Sequence, residues 1–236
     1  MTEPLVGVLG GVGPMATAYF LQRVVALTDA QRDQDHVNLI VFNHAAIPDR
    51  TAFLLGESGR SPGPVLADDA RRITEFGADF LVMPCSTGHA FAAEIQAATH
   101  RPFVSMIDLT VADVATRTGD KPVGLLATEG TLANRNYHDA FAKAGVEVIT
   151  PDTAEQAQVR QIIYSQVKTG RQVDVAALRA VTDSLVRRGA ASVILGCTEL
   201  SVAALDNSLV GQEPFVDAME LLVRATIVRA GRQVRA

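Results

Sequence analysis

Cysteine is scarce in this chain: 236 residues contain two, Cys85 and Cys197, far apart and in neither a C-x-x-C nor a Cys/His spacing. That excludes a zinc-ligand pattern and thioredoxin-like chemistry, and a structural disulfide is not expected of a cytosolic chain of this size. Long apolar runs are also missing, and Met1-Thr2-Glu3-Pro4 has neither the basic nor the apolar region of a signal peptide. A cytoplasmic protein without membrane contact is the expectation. Lysine and arginine are dispersed, and the formal net charge is -5, so nucleic acid and anionic membranes find no electrostatic footprint. A small-molecule substrate is the remaining class of partner. Heptads and low-complexity tracts are absent as well.

The hydrophobic content of 48% is enough for a sizeable core. Short continuous apolar runs at Leu5-Leu9, Val37-Phe42, Phe80-Met83, Val123-Ala127, Val146-Ile149 and Ser192-Leu195 predict strands buried on both faces. Helical patterns lie between them. Asp174 is placed to cap a helix carrying Leu178, Val181 and Leu185, and Gly189 ends it; Gly77 and Gly145 close two others. Alternating strands and helices predict an α/β fold with mostly parallel sheets flanked by helices.

The chain repeats itself. Gly77-Ala78-Asp79-Phe80-Leu81-Val82-Met83-Pro84-Cys85 aligns with Gly189-Ala190-Ala191-Ser192-Val193-Ile194-Leu195-Gly196-Cys197 at an offset of 112 residues, Cys85 to Cys197. Pro102-Phe103-Val104 falls on Pro214-Phe215-Val216 at the same offset, and Val6-Gly7-Val8-Leu9 answers Val123-Gly124-Leu125-Leu126 at 117. Two pseudo-symmetric α/β domains are expected, with an active site in the cleft between them. One would span 1–109 with 213–236 and carry Cys85; the other would span 110–212 and carry Cys197.

Each cysteine stands where a strand ends and a helix should begin, the ligand-binding edge of open α/β sheets. Helix N-termini there are expected to lower the thiol pKa and favour thiolate. Gly11-x-Gly13-x-x-Ala16 fits a dinucleotide-binding turn, but the second strand runs into Asn43-His44 instead of the acidic residue that a ribose needs. Those glycines are better suited to bringing backbone N–H groups near a substrate carboxylate, or to a tight turn. In the polar loop Asn43-His44-Ala45-Ala46-Ile47-Pro48-Asp49-Arg50-Thr51, Arg50 could bind a carboxylate bidentately or pair with Asp49. The stretch from Gly56 to Pro64 is either a lid or an exposed loop. His44 and His89 are read as orienting groups, and Lys168 as a helix-end cation.

At these residues the sequence resembles the aspartate/glutamate racemase family over nearly its whole length. The likeness rests on Gly10-Gly11-Val12-Gly13-Pro14, Ile47-Pro48-Asp49-Arg50-Thr51, Pro84-Cys85-Ser86-Thr87-Gly88-His89, Leu126-Ala127-Thr128 to Thr131, Tyr137, and Leu195-Gly196-Cys197-Thr198-Glu199. It implies a homodimer that racemises an amino acid, aspartate or glutamate first, without pyridoxal phosphate, metal or other cofactor. It also implies that Arg50 binds a substrate carboxylate and that Lys168 binds the side-chain carboxylate. The family usually has Pro-Cys-Asn-Thr-Ala-His around its first cysteine, so Ser86 and Gly88 are departures that leave the substrate open.

Cys85 and Cys197 are therefore the expected catalytic pair, one removing an α-proton as thiolate and the other returning one to the opposite face as thiol. The expected substrate contacts are Gly11, Asn43, Arg50, Ser86, Thr87, Thr128, Lys168, Thr198 and Glu199. Two rivals share the fold or the binding chemistry: a maleate isomerase or arylmalonate decarboxylase, and a non-catalytic protein that binds small acids.

Overall fold

A computed structural model describes residues 3–235 of the chain. They fall into two compact units, one running to Met106 and resuming at Met219, the other spanning Ile107–Ala218. Among the described residues no helix is long and apolar enough to cross a membrane.

The first unit holds strands β1 (Leu5–Gly10), β2 (Asn38–Asn43), β3 (Phe80–Val82) and β4 (Phe103–Val104). They form one parallel sheet in the order β2-β1-β3-β4. Val6 pairs with Leu39 on one side and Phe80 on the other. Val6, Val8 and Leu9 are buried, which is why β1 reads as a continuous apolar run with no alternation. Helix Gly63–Glu75 buries Leu66, Ala70 and Ile73 in the same core as Leu9 and Leu81. Gly7 permits that packing, since a methyl group there would collide with Ile73 and Leu81. Loss of one such leucine to alanine costs about 2–5 kcal/mol.

The second unit repeats the plan with β5 (Val123–Leu126), β6 (Val148–Ile149), β7 (Val193–Leu195) and β8 (Phe215–Asp217), parallel and ordered β6-β5-β7-β8. Asp174 caps helix Val175–Arg187 by accepting the Ala177 N–H at 2.9 Å, and Gly189 follows its end at φ +105°. Leu178, Val181 and Leu185 on that helix are buried with Val193 and Leu195. Gly124 stands where Gly7 stands in the first unit, and a methyl there would press on Leu185 and Val193.

Strands β4 and β8 were not among the predicted strands, although their residues belong to the internal repeat. In the sequence each is only an apolar pair, Phe103-Val104 and Phe215-Val216, set between a proline and a polar residue, too short a run to register. The chain passes between units at Met106–Ile107 and again at Ala218–Met219. These points lie three residues before and six residues after the edges read from the sequence, and they are themselves 112 residues apart, the spacing of the repeat. Helix Met106–Thr118 thus follows β4 but belongs beyond its first residue to the second unit, while helix Ala218–Arg229 follows β8 and returns to the first. There Glu220 pairs with Arg23 at 2.8 Å, Arg229 lies over the Phe80 ring, and Val234 bridges to Thr28.

Candidate active site

Cys85 stands three residues past the end of β3 and is buried, as are Met83, Ser86 and Thr87. Its N–H donates to the Met83 carbonyl at 2.8 Å, a tight turn that leads into a 3₁₀ helix over Thr87–Phe91. His89 locks this turn. The Met106 N–H donates to His89 Nε2 at 3.0 Å, so Nδ1 carries the proton and donates it to the Cys85 carbonyl at 2.8 Å. With both nitrogens on backbone partners and its ring against Phe103, His89 orients the cysteine backbone. At Gly88 a methyl group would lie 3.4 Å from Cys85 Sγ and 2.8 Å from the Met83 thioether, so the glycine keeps a gap beside the thiol.

The other expected contacts of this unit lie at the carboxyl ends of β1 and β2. Gly11 sits at φ +86°, with no room for a side chain against the His44 backbone. Its N–H donates to Thr17 Oγ1 at 2.9 Å, so that amide serves the loop itself and is not offered to a ligand carboxylate. Thr17, unassigned from the sequence, is the organiser of this loop; it also donates to the Gly13 carbonyl at 3.1 Å. Asn43 is exposed at the end of β2.

Arg50 opens the short helix Arg50–Leu54, whose Phe53 packs on Phe91. The Asp49–Arg50 ion pair considered from the sequence does not form: Asp49 instead caps the helix, accepting the Ala52 N–H at 2.8 Å. Arg50 donates to the Ile47 and Pro48 carbonyls at 3.4 and 3.2 Å, its Nε is buried without an acceptor, and among the described residues it has no carboxylate partner. The segment read as a lid or loop is shorter than expected, because Gly63 and Pro64 already belong to a helix.

His44 Nδ1 lies 2.9 Å from Asp69 Oδ2. Burial raises the Asp69 carboxyl pKa, and the hydrogen bond from His44 offsets part of that rise. Asp69 escaped the sequence reading because it is 25 residues from its partner, in a helix with no motif.

In the second unit Cys197 follows β7 and is the N-cap of helix Thr198–Asp206. Its thiol donates to Glu199 Oε2 at 3.0 Å, and the Thr198 hydroxyl donates to the same oxygen at 3.3 Å. Lys168 Nζ stands 3.8 Å from Glu199 Oε1 and 4.5 Å from the centre of the Tyr164 ring. Lys168 reaches this position from a 3₁₀ turn, Val167–Thr169, that follows a π-helical turn over Gln161–Gln166. π-turns are rare and recur at functional sites.

The expected lowering of the thiol pKa is overturned at Cys197, which is raised well above the ordinary thiol value. Burial is the main cause, the Glu199 charge and hydrogen bond add to it, and Lys168 only partly opposes them. A helix N-terminus does not outweigh a buried neighbour of like charge. Glu199 itself, expected to touch substrate, has its carboxylate occupied by groups of its own unit. Thr128 caps helix Glu129–Asn134, accepting the Thr131 N–H at 3.2 Å. One further buried pair was missed: Ser201 donates to Asp217 at 2.6 Å, at the carboxyl end of β8. Among the described residues no cluster of three or more His, Cys, Asp and Glu is placed to hold a metal ion.

Residues 9–226 match the family model described as Asp/Glu/Hydantoin racemase. A broad specificity amino-acid racemase of Bacillus subtilis is 26% identical over 229 residues, which cover 94% of this chain and 96% of that protein. The glutamate racemase of Mycobacterium leprae is 28% identical over 172 residues, 67% of this chain and 61% of its own length. Among solved structures, the aspartate racemase of Picrophilus torridus superposes with a TM-score of 0.84 at 29% identity, over 98% of this chain and 96% of that one.

Proposed function

The chain belongs to the Asp/Glu/hydantoin racemase family, and on that premise we propose that it racemises an amino acid, aspartate or glutamate first, without a cofactor, by proton transfer between two cysteines and one α-carbon. Cys85 acts as thiolate and removes the α-proton; Cys197 acts as thiol and delivers a proton to the opposite face. The observation that carries this reading is the pair of buried cysteines at equivalent strand ends of a repeated unit, Cys197 with its S–H held on Glu199. One acid and one base placed at equivalent points suit a reaction whose substrate and product are enantiomers.

The difficulty of the chemistry sets what the surrounding groups must do. A turnover of about 10 per second allows a barrier of about 16 kcal/mol, and a thiolate is a weak base toward an α-C–H. The carbanion therefore needs strong electrostatic stabilisation. Arg50, lacking a carboxylate of its own, is suited to the substrate carboxylate, which a guanidinium grips in two bonds. Thr87, Thr128 and Thr198 supply hydroxyls, and the N-terminus of helix Thr198–Asp206 supplies a positive dipole end. Lys168 is suited to a second carboxylate on the substrate.

The test is an NMR screen for α-proton exchange in deuterated water across aspartate, glutamate and neutral amino acids, the last because the Bacillus subtilis relative is named for broad specificity. The expected result is an inverted product carrying solvent deuterium from the first turnovers. Absence of exchange with every amino acid, or inversion that retains the original hydrogen, overturns the reading.

A further inference from the structure

We infer that Glu199 is a positioning residue that keeps the resting proton on Cys197, so that the resting enzyme presents Cys197 as the acid. The inference rests on the proposed two-cysteine chemistry for its consequence, though not for its geometry. Glu199 Oε2 receives both the Cys197 S–H at 3.0 Å and the Thr198 O–H at 3.3 Å, and the carboxylate is buried. A carboxylate can accept the thiol proton's hydrogen bond but offers nothing to a thiolate except repulsion.

Within this unit, the charged groups that act on Cys197 are Glu199 and Lys168, and the buried Asp217 at the end of β8 is bonded to Ser201, one turn further along the helix that Cys197 caps. Glu199 is on its own helix, Lys168 reaches in from the turn Val167–Thr169, and the Tyr164 ring lies under Lys168 from the π-turn. Lys168 stands 3.8 Å from Glu199, and its positive charge acts on Cys197 in the sense opposite to that of the Glu199 carboxylate. In the repeat the residue equivalent to Glu199 is Thr87, which carries no charge, and both ring nitrogens of His89 bond backbone atoms.

The two cysteines are thereby unequal, although the reaction treats its two substrates alike. The enantiomer whose α-proton faces Cys85 meets the ready form of the enzyme. After that turnover Cys85 holds the abstracted proton and Cys197 is a thiolate beside Glu199. Release of the Cys85 proton to water and uptake of one from water by Cys197 restore the resting form with no net change.

The experiment reads Cys197 alone, in a Cys85→Ser background, by the pH dependence of its alkylation with iodoacetamide, with circular dichroism confirming the fold. Glu199→Gln keeps the size and an acceptor oxygen but removes the charge, and should shift the alkylation midpoint to lower pH by at least one unit, about a tenfold faster reaction at pH 8. Lys168→Met removes the opposing charge and should slow alkylation at the same pH. Opposite responses of two neighbours cannot come from mere loosening, which would speed both. An unmoved midpoint in Glu199→Gln, or acceleration in both variants, overturns the inference. Because the readout is thiol reactivity, it stands apart from the racemisation assay: a protein inactive on every amino acid would still reveal whether Glu199 holds this proton.

Discussion

The sheets of the two units run in the same order, and Gly7 and Gly124 open the same gap for equivalent helices, yet the two cysteines are held in different ways. Cys85 sits in a turn tied down through its backbone by a histidine whose nitrogens both bond main-chain atoms. Cys197 caps a helix and is tied through its sulfur to a carboxylate. Duplication has preserved what packing demands, because a strand or glycine that changed alone would cost a whole core. It has released what chemistry uses, because a side chain at a strand end can change without disturbing the sheet.

The sharpest way to break this comparison is to remove each sulfur in turn. Cys85→Ser and Cys197→Ser should each lower racemisation by about 10²–10⁴-fold, the usual worth of a placed acid or base, while thermal melting stays close to the parent. Normal turnover in either variant would remove that cysteine from the pair. Next in size is Arg50→Ala, which should raise KM about 10–100-fold through loss of a charged hydrogen bond of about 1.5–3 kcal/mol, with little change in stability because its bonds within the chain are two long ones to the neighbouring Ile47 and Pro48 carbonyls. Steady-state kinetics on the substrate found by the exchange screen would show this.

A third measurement compares the frames. Asp49→Ala and Asp174→Ala each remove a helix cap, one in each unit, and should each cost about 1 kcal/mol in urea unfolding. The smallest expected effect concerns Asp69. Burial raises its pKa, so the folded protein binds this proton more tightly than the unfolded chain does. Its contribution to stability is therefore fully present at acid pH and is lost as pH rises from the ordinary aspartate range through the raised value. Asp69→Asn should flatten that part of the stability profile in melts recorded from pH 3 upward.

Much of this frame was legible in the sequence because burial on both faces leaves unbroken apolar runs, and because a duplication writes each run twice. The cap at Asp174 and the closing glycines were legible because they act within a few residues of themselves. What escaped acts across distance or against a rule of thumb. The His44–Asp69 pair joins residues 25 apart. The raised Cys197 thiol needed knowledge that Glu199 turns back onto the sulfur, since position alone suggested a stabilised thiolate. Arg50 was left between two partners by sequence, and only the capping of the helix by Asp49 frees it from one of them.

The return of helix Ala218–Arg229 to the first unit has a consequence for how the molecule is made. On a ribosome the second unit is complete, and free to fold, as soon as its own contiguous stretch has emerged. The first unit has to wait through all of that synthesis, with Arg23 lacking its Glu220 and Phe80 lacking its Arg229. A chain halted shortly after Ala218 would release a finished later half attached to an unfinished earlier one, and the earlier half is where a protease would be expected to cut.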